Sequence, residues 1–182
     1  MISSLVLCGG KNTRLLTVKK SIIKPLLIYK GKTLLEHHFI NLNKLKVNFN
    51  FVNIFKKNQV FKNLKKNKKL NFQIIEEKKL KGTAGVLISN LNLFNDEILV
   101  LYGDNYLNLD IRNFYKFFKK NNCDLLIGVF KKKDLSISGS VKFNRFNQIS
   151  DFSEKNEKLK YKTGYCNAGV YLIRKNFLKR FN

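Results

Sequence analysis

The stretch of this chain best equipped for chemistry is Leu5-Val6-Leu7-Cys8-Gly9-Gly10-Lys11-Asn12-Thr13-Arg14-Leu15, followed ten residues after Arg14 by Lys24-Pro25-Leu26. An apolar run ending in paired glycines reads as a buried strand that exposes backbone N–H groups at its carboxyl end, where open α/β sheets bind ligands. Two glycines let the backbone approach a phosphate closely. An Arg and a Lys from the same loop can then hold the charge on transferring phosphoryl oxygens, the point at which catalysis of phosphoryl transfer is won. The loop is not a P-loop, because the G-x-x-x-x-G-K-[ST] spacing is missing, and no G-x-G-x-x-G fingerprint follows the strand. A second candidate is Asp104, which closes the run Leu99-Val100-Leu101-Tyr102-Gly103-Asp104. A carboxylate at a strand's carboxyl end suits a hard cation whose remaining shell comes from substrate phosphates, although the same residue could simply open a turn.

Such residues need a scaffold, and the hydrophobic pattern supplies one. Apolar runs alternate with helical patterns along the first two thirds of the chain, the signature of βαβ units around a largely parallel sheet. Strands are expected at Ile2–Leu7, Phe49–Phe55, Asn71–Glu76, Glu97–Tyr102 and Asp124–Phe130. Between the first two lie an apolar segment Ile22–Tyr29 and the turn Lys30-Gly31-Lys32. Helices are expected from Thr33, where Thr33 and Glu36 form a capping box, to about Lys46, over Asn58–Lys66 with Val60, Phe61 and Leu64 inward, over Gly82–Asn90, and over Asp110–Lys120. His38 falls on the apolar face of the first helix with Leu34, Leu35, Phe39, Leu42 and Leu45, which suits a core-rim histidine rather than a catalytic one. Ser140–Phe143 and Gln148–Phe152 flank Asn144–Asn147 as a hairpin, and Asn167–Ile173 reads as a last strand.

The phosphate loop resembles that of the nucleotidyltransferase family of sugar-1-phosphate nucleotidylyltransferases, whose signature is G-G-x-G-T-R-L, a spacer, then P-K-P. Gly9-Gly10-Lys11-Asn12-Thr13-Arg14-Leu15 and Lys24-Pro25 stand in those places. Asn12 replaces the third glycine, a change that a residue tolerant of positive φ accommodates, and Ile23 replaces the first proline. The resemblance implies a Rossmann-like three-layer α/β fold with a mainly parallel central sheet and a small β-hairpin insertion. It implies that Arg14 and Lys24 are catalytic, binding the triphosphate, and that Leu7, Gly9, Gly10 and Thr13 bind the nucleotide.

Later segments extend it. Gly82-Thr83-Ala84-Gly85 resembles the family's G-T-A-G segment, so Gly82 and Thr83 would form the base pocket; alone it is only a helix start. Asp104 matches the Gly-Asp strand end that binds the catalytic Mg²⁺. Gly139-Ser140-Val141 is similar to the Tyr-Gly-x-Val segment, with Ser138 in place of the tyrosine. Phe152-Ser153-Glu154-Lys155 is similar to F-x-E-K, and Asn167-Ala168-Gly169-Val170-Tyr171 to N-A-G-[IV]-Y. Gly139, Glu154, Lys155, Asn167 and Gly169 would then bind the sugar phosphate. By composition alone Glu154-Lys155 is an exposed charge pair and Asn167–Tyr171 an ordinary buried strand. The family's later Asp, a second metal ligand downstream of the N-A-G strand, has no counterpart: either the chain is truncated or the ligand is lost.

The implied reaction joins an NTP and a sugar 1-phosphate into an NDP-sugar and pyrophosphate, with Mg²⁺ as cofactor. The Arg14–Lys24 spacing and the L-x-T-V continuation resemble most the branch containing D-glycero-D-manno-heptose 1-phosphate guanylyltransferase, then mannose-1-phosphate guanylyltransferases. That points to GTP, and to a role in lipopolysaccharide or other cell-surface polysaccharide synthesis. One domain, 1–182, is expected, with a nucleotide-binding half to about residue 130 and a sugar-phosphate half from about 131.

Length and composition bound these readings. At 182 residues the chain suits about one domain of roughly 150 residues. With 44% hydrophobic residues it has the composition of a folded protein. No apolar run approaches the roughly 18 residues of a membrane span, and a cytoplasmic protein is expected. The net charge of +24 would ordinarily suggest nucleic acid, yet only Arg14, Arg112, Arg145, Arg174 and Arg180 are arginines; the rest of the 36 basic residues are lysines. Arg is what planar phosphate and base-edge recognition favours, so a solvated lysine surface is expected, with no specific nucleic acid. Cys8, Cys123 and Cys166 form no C-x-x-C pair and read as reduced core thiols, and the adjacent His37 and His38 cannot make an i, i+4 zinc pair. Two rivals stay open at this point, a catalytically silent binding or regulatory relative and a basic RNA-binding module, as does assembly into a homo-oligomer.

Overall fold

The structure, a computed structural model, describes residues 1–9, 23–55, 61, 64, 70–136, 138–153, 157–159 and 162–181. The chain divides into two compact units, Met1–Leu126 with Tyr171–Asn182, and Ile127–Val170. The helix expected over Asn58–Lys66 lies mostly outside the described residues; Phe61 within it is buried.

The first unit is built on β1 (Ile2–Leu7), β4 (Phe49–Phe55), β5 (Gln73–Glu77) and β6 (Glu97–Tyr102), which pair in parallel in the order β5-β4-β1-β6. β6 agrees with its sequence-derived bounds. Strands buried on both faces read as continuous apolar runs, and Leu5, Val6, Val52, Ile98, Leu99 and Val100 are all fully buried. Their order places β1 at a topological switch point: the chain moves from β1 outward through β4 and β5, then returns to β1's other side as β6. The carboxyl ends of β1 and β6 therefore frame a crevice.

Local chemistry explains the helices. α1 (Leu34–Leu45) starts at Thr33, whose Oγ1 accepts from Glu36 N at 3.1 Å while Glu36 Oε2 accepts from Thr33 N at 2.7 Å, the expected capping box. α2 (Gly82–Ser89) packs Val86 and Leu87 into a core with Leu5, Phe51, Ile75, Ile98 and Val100. α3 (Ile111–Asn121) is capped by Asp110, which accepts from Arg112 N and Asn113 N. The segment expected as an apolar run at Ile22–Tyr29 is instead, from Ile23, a 3₁₀ turn over Lys24–Leu26 followed by the short ribbon β2 (Ile28–Tyr29) and β3 (Lys32–Thr33). Proline at the first turn and glycine at φ 75° in the ribbon's bend account for that difference. His38 is buried, as its place on the apolar face implies.

In the second unit, β8 (Ser140–Phe143) and β9 (Ile149–Ser153) form the expected antiparallel hairpin, with Val141 opposite Phe152 and Lys142 opposite Asp151. Asn144 organises its turn by accepting from Phe146 N and Gln148 N. β8 also pairs with β10 (Gly164–Arg174), and β7 (Leu125–Lys132) lies on β10's flank. β10 begins three residues before the expected Asn167, because Tyr165 finds a partner in Val141. The chain re-enters the first unit through Tyr171 and ends its described part in α4 (Lys175–Leu178) and one 3₁₀ turn. The three cysteines are free, but only Cys166 is a core thiol; Cys8 and Cys123 are half-buried at strand ends. Among the described residues no helix is long and apolar enough to cross a membrane.

Candidate active site

The crevice at the switch point holds a cavity of about 280 Å³, lined by Leu7, Cys8 and Gly9 from the end of β1, Asn53 from β4, Glu77 from β5, Gly82, Thr83 and Val86 from α2, and Tyr102 and Asp104 from β6 and its following turn, with Pro25 and Leu80. Strand register sets the depth of each wall: Leu7 pairs with both Asn53 and Tyr102, so β1 and β6 end at one level while β4 runs two residues further, to Phe55. Cys8 N donates to Asn53 O and Gly103 N to Leu7 O, each at 2.9 Å, locking those ends together. Gly103 is confined there, since a Cβ on it would come 2.6 Å from Cys8 Sγ and 2.9 Å from Leu7 O.

Of the residues singled out from the sequence, Leu7, Gly9, Gly82, Thr83 and Asp104 meet in this cavity. Lys24 joins them, its Nζ 3.5 Å from Asp104 Oδ2, with both side chains partly exposed. Gly10, Thr13 and Arg14 lie outside the described residues, as do Glu154 and Lys155. Gly82 has φ 71° with open space around it, so glycine serves the backbone there rather than a close approach. In the second unit Gly139, Asn167 and Gly169 form a set of their own: Asn167 N donates to Gly139 O at 2.9 Å, and Asn167 Oδ1 accepts from Gly169 N at 2.8 Å. Gly169 sits at φ 71°, a conformation that disfavours any side chain.

Sequence reasoning passed over Asn53, Glu77, Cys8 and Tyr102. Asn53 carried a signal, a polar residue inside the run Phe51-Val52-Asn53-Ile54-Phe55, and buried polar groups are informative where buried apolar ones are not; Glu77, next to Glu76 at the end of β5, carried none. Glu77 Oε1 accepts from Lys81 N and its Oε2 from Asn53 Nδ2, both at 3.0 Å. Burial, with the Asp104 charge second, pushes the Cys8 thiol up, which disfavours its thiolate.

Among the described residues Asp104 is the one cavity carboxylate at the partly exposed mouth; Glu77, the other, is buried and hydrogen-bonded by Asn53 Nδ2 and Lys81 N. Among the described residues no three His, Cys, Asp or Glu side chains cluster as an all-protein metal site. A single carboxylate at the mouth fits a cation that keeps waters and takes its other ligands from phosphates, the habit of Mg²⁺.

A model of the nucleotidyl transferase family matches residues 3–181. The chain belongs to this family. As a nucleotidyl transferase it is an enzyme of the sugar-phosphate class, which sets aside the RNA-binding reading. The chain is 29% identical over 183 residues to the D-glycero-alpha-D-manno-heptose 1-phosphate guanylyltransferase of Campylobacter jejuni, covering 99% of this chain and 79% of that one. It is likewise 29% identical over 175 residues to the bifunctional protein GlmU of Methanococcus maripaludis, 96% of this chain but only 41% of GlmU's length. The crystal structure of HddC from Yersinia pseudotuberculosis superposes with a TM-score of 0.79 at 25% identity, over 99% of this chain and 80% of that one. A nucleotidyl transferase of this fold thus has its mainly parallel α/β sheet as the sequence led one to expect.

Proposed function

We propose that this nucleotidyl transferase moves a guanylyl group from GTP to a heptose or mannose 1-phosphate, giving a GDP-sugar for cell-surface polysaccharide synthesis. An oxygen of the sugar phosphate attacks the α-phosphorus, the bond to the β-phosphate oxygen breaks, and pyrophosphate leaves with the electron pair. No protein nucleophile is needed. Two polyanions must be brought together, so positioning and charge carry the rate. Lys24, with Arg14 from the same loop, holds phosphoryl oxygens; the backbone at Gly9 and Gly10, with Leu7 and Thr13, receives the triphosphate; Gly82 and Thr83 edge the base. Asp104 would hold Mg²⁺, which when bound neutralises phosphate charge. Gly139, Asn167 and Gly169, with Glu154 and Lys155, take the sugar phosphate, following the division of the chain near residue 130.

The observation that carries the guanine assignment is Glu77. Its carboxylate lines the cavity on the side of Gly82 and Thr83 and can only accept hydrogen bonds. Guanine is the base whose pairing edge offers two adjacent N–H donors, at N1 and N2, whereas adenine, cytosine and uracil each place an acceptor beside a donor. The relative from C. jejuni, a guanylyltransferase by name, agrees with that choice. Pyrophosphate release measured over GTP, ATP, UTP, CTP and dTTP, each with heptose, mannose and glucose 1-phosphates, tests the reading. GTP with heptose or mannose 1-phosphate is expected to turn over fastest, EDTA to stop the reaction and added Mg²⁺ to restore it. Faster turnover with UTP or dTTP would overturn it.

A further inference from the structure

Beneath the glycine that follows β1 lies a buried polar pair to which the phosphoryl chemistry gives no task. Asn53 is 2% exposed and Glu77 7%. Burying an amide against a carboxylate is costly unless the geometry satisfies both, and here it does. Asn53 Nδ2 donates to Glu77 Oε2 at 3.0 Å and to Ile75 O at 3.4 Å. Its Oδ1 turns the other way, under Gly9, where a Cβ would come within 2.6 Å of it and within 3.2 Å of Glu77 Oε2. The amide therefore has one sensible orientation, since the reverse would set Oδ1 against two acceptors. Register explains the meeting: Asn53 pairs with Ile75, and Glu77, two residues further along β5, shares Ile75's face of the sheet.

The consequence lies in what remains of the carboxylate. An ionised carboxyl group has about four acceptor positions, two on each oxygen. Among the described residues Asn53 occupies one on Oε2 and the Lys81 N–H one on Oε1, which leaves one on each oxygen. We infer that Asn53 is a positioning residue for base selection: it fixes Glu77 as a forked acceptor that matches the paired donors of guanine and repels the acceptors on other bases. The inference rests on the GTP reading above and names what holds its reader in place.

The isosteric change Asn53→Asp tests it, because it keeps the volume and exchanges the donor for a second carboxylate facing Glu77. The measurement is the Kd of GTP, ITP and ATP by calorimetric titration of the full chain. ITP lacks the N2 amino group. A lost hydrogen bond to a charged acceptor corresponds to about a ten- to hundredfold change in affinity. Wild type is expected to prefer GTP to ITP by that factor, and Asn53→Asp to bring the two within about threefold while the KM for sugar phosphate stays within about twofold. Asn53→Ser, which removes the clamp without adding charge, is expected to shrink the preference in the same direction, so a misfolded first variant does not end the test. The exchange Asn53→Asp/Glu77→Gln rebuilds the pair with donor and acceptor swapped and leaves position 77 one donor and one acceptor, the pattern that complements adenine. Preference should then move at least about tenfold toward ATP. Unchanged GTP-to-ITP selectivity in Asn53→Asp and Asn53→Ser, with selectivity lost in Glu77→Gln, would overturn the role of Asn53 and spare the guanine reading. No preference for GTP in wild type would overturn both.

Discussion

The cavity residues of the first unit and the Gly139–Asn167–Gly169 set of the second are held by different means. Leu7, Asn53 and Glu77 stand at or near the carboxyl ends of parallel strands packed in one sheet, and Asp104 follows the end of β6, so the packing of that sheet sets where they meet. The second set lies on β10 and just before β8, and the neighbouring edge strand β9 is largely in water, with Ile149 and Phe152 each 44% exposed. A dense core transmits small displacements, and strands beside an exposed edge absorb more of them. Under the proposed reading the groups common to every such reaction, phosphate and base, meet the rigid part, and the sugar meets the compliant one.

The sharpest way to break that contrast is kinetic. Lys24→Ala and Asp104→Ala should each lower kcat about a hundredfold or more, since each removes a charge that acts on the transition state. Asn167→Ala removes a neutral acceptor from the second unit and should raise the KM for sugar phosphate by only about two- to tenfold. Steady-state rates with far-UV circular dichroism measure both, and equal losses of kcat from the two units would erase the distinction.

A pH titration of stability probes the first unit through its histidines, because His37 and His38 are the only histidines in the chain. Burial pushes the His38 imidazole down to about 4, against the opposing pull of the Tyr102 and Asn105 backbone. The folded state thus refuses a proton that the unfolded chain accepts below about 6.5. Stability is complete above that pH and falls as pH drops from 6.5 toward 4, by roughly 3 kcal/mol at about 1.4 kcal/mol per pH unit. Urea midpoints at pH 7.5 and 4.5 should show the fall in wild type and a smaller one in His38→Leu.

Glycine substitutions compare the packing directly. Gly103→Ala drives a Cβ into Cys8 Sγ and the Leu7 carbonyl, and should cost about 1–3 kcal/mol and displace Asp104. Gly139→Ala meets the ring edge of half-exposed Phe152 at 3.3 Å, which can shift, and Ser153 O at an ordinary 3.8 Å, so the cost should stay under about 1 kcal/mol. Thermal unfolding of the pair decides whether the strands beside the exposed edge give way as described. Smallest of all, Lys142→Ala breaks the ion pair to Asp151 across β8 and β9, both exposed, and should change stability by less than about 1 kcal/mol, less again in high salt.

Much of this was legible in the residues themselves where the determinant is local. The capping box at Thr33, the β6 strand and the β8–β9 hairpin all follow from patterns within a few residues. What escaped depends on register between distant segments. Asn53 looks like an interruption in an apolar run until β4 is paired with β5, and only then does Glu77 come under it. Lys24 was visible as a charge but its approach to Asp104 was not, since that requires the 3₁₀ turn at Lys24–Leu26 to carry it toward the end of β6. The sugar-side motif at Glu154 and Lys155 falls outside the described residues and stays a matter of resemblance.

The path of the chain has a consequence for how this protein is made. The backbone leaves the first unit at Leu126 and returns at Tyr171, and the core of that unit includes Ile173 and Leu178 packed with Phe94, Ile98 and Val100. On a ribosome, synthesis proceeds from the amino end at about 5–20 residues per second, so β1, β4, β5 and β6 emerge well before the residues that seal them. Until Tyr171 has cleared the exit tunnel, an apolar wall of the nascent sheet stays open, and closing it requires a contact between segments far apart in sequence, the slow kind. Nascent chains stalled before Tyr171 should therefore engage chaperones and be cut readily by protease, and protection should arrive in one step once α4 is free.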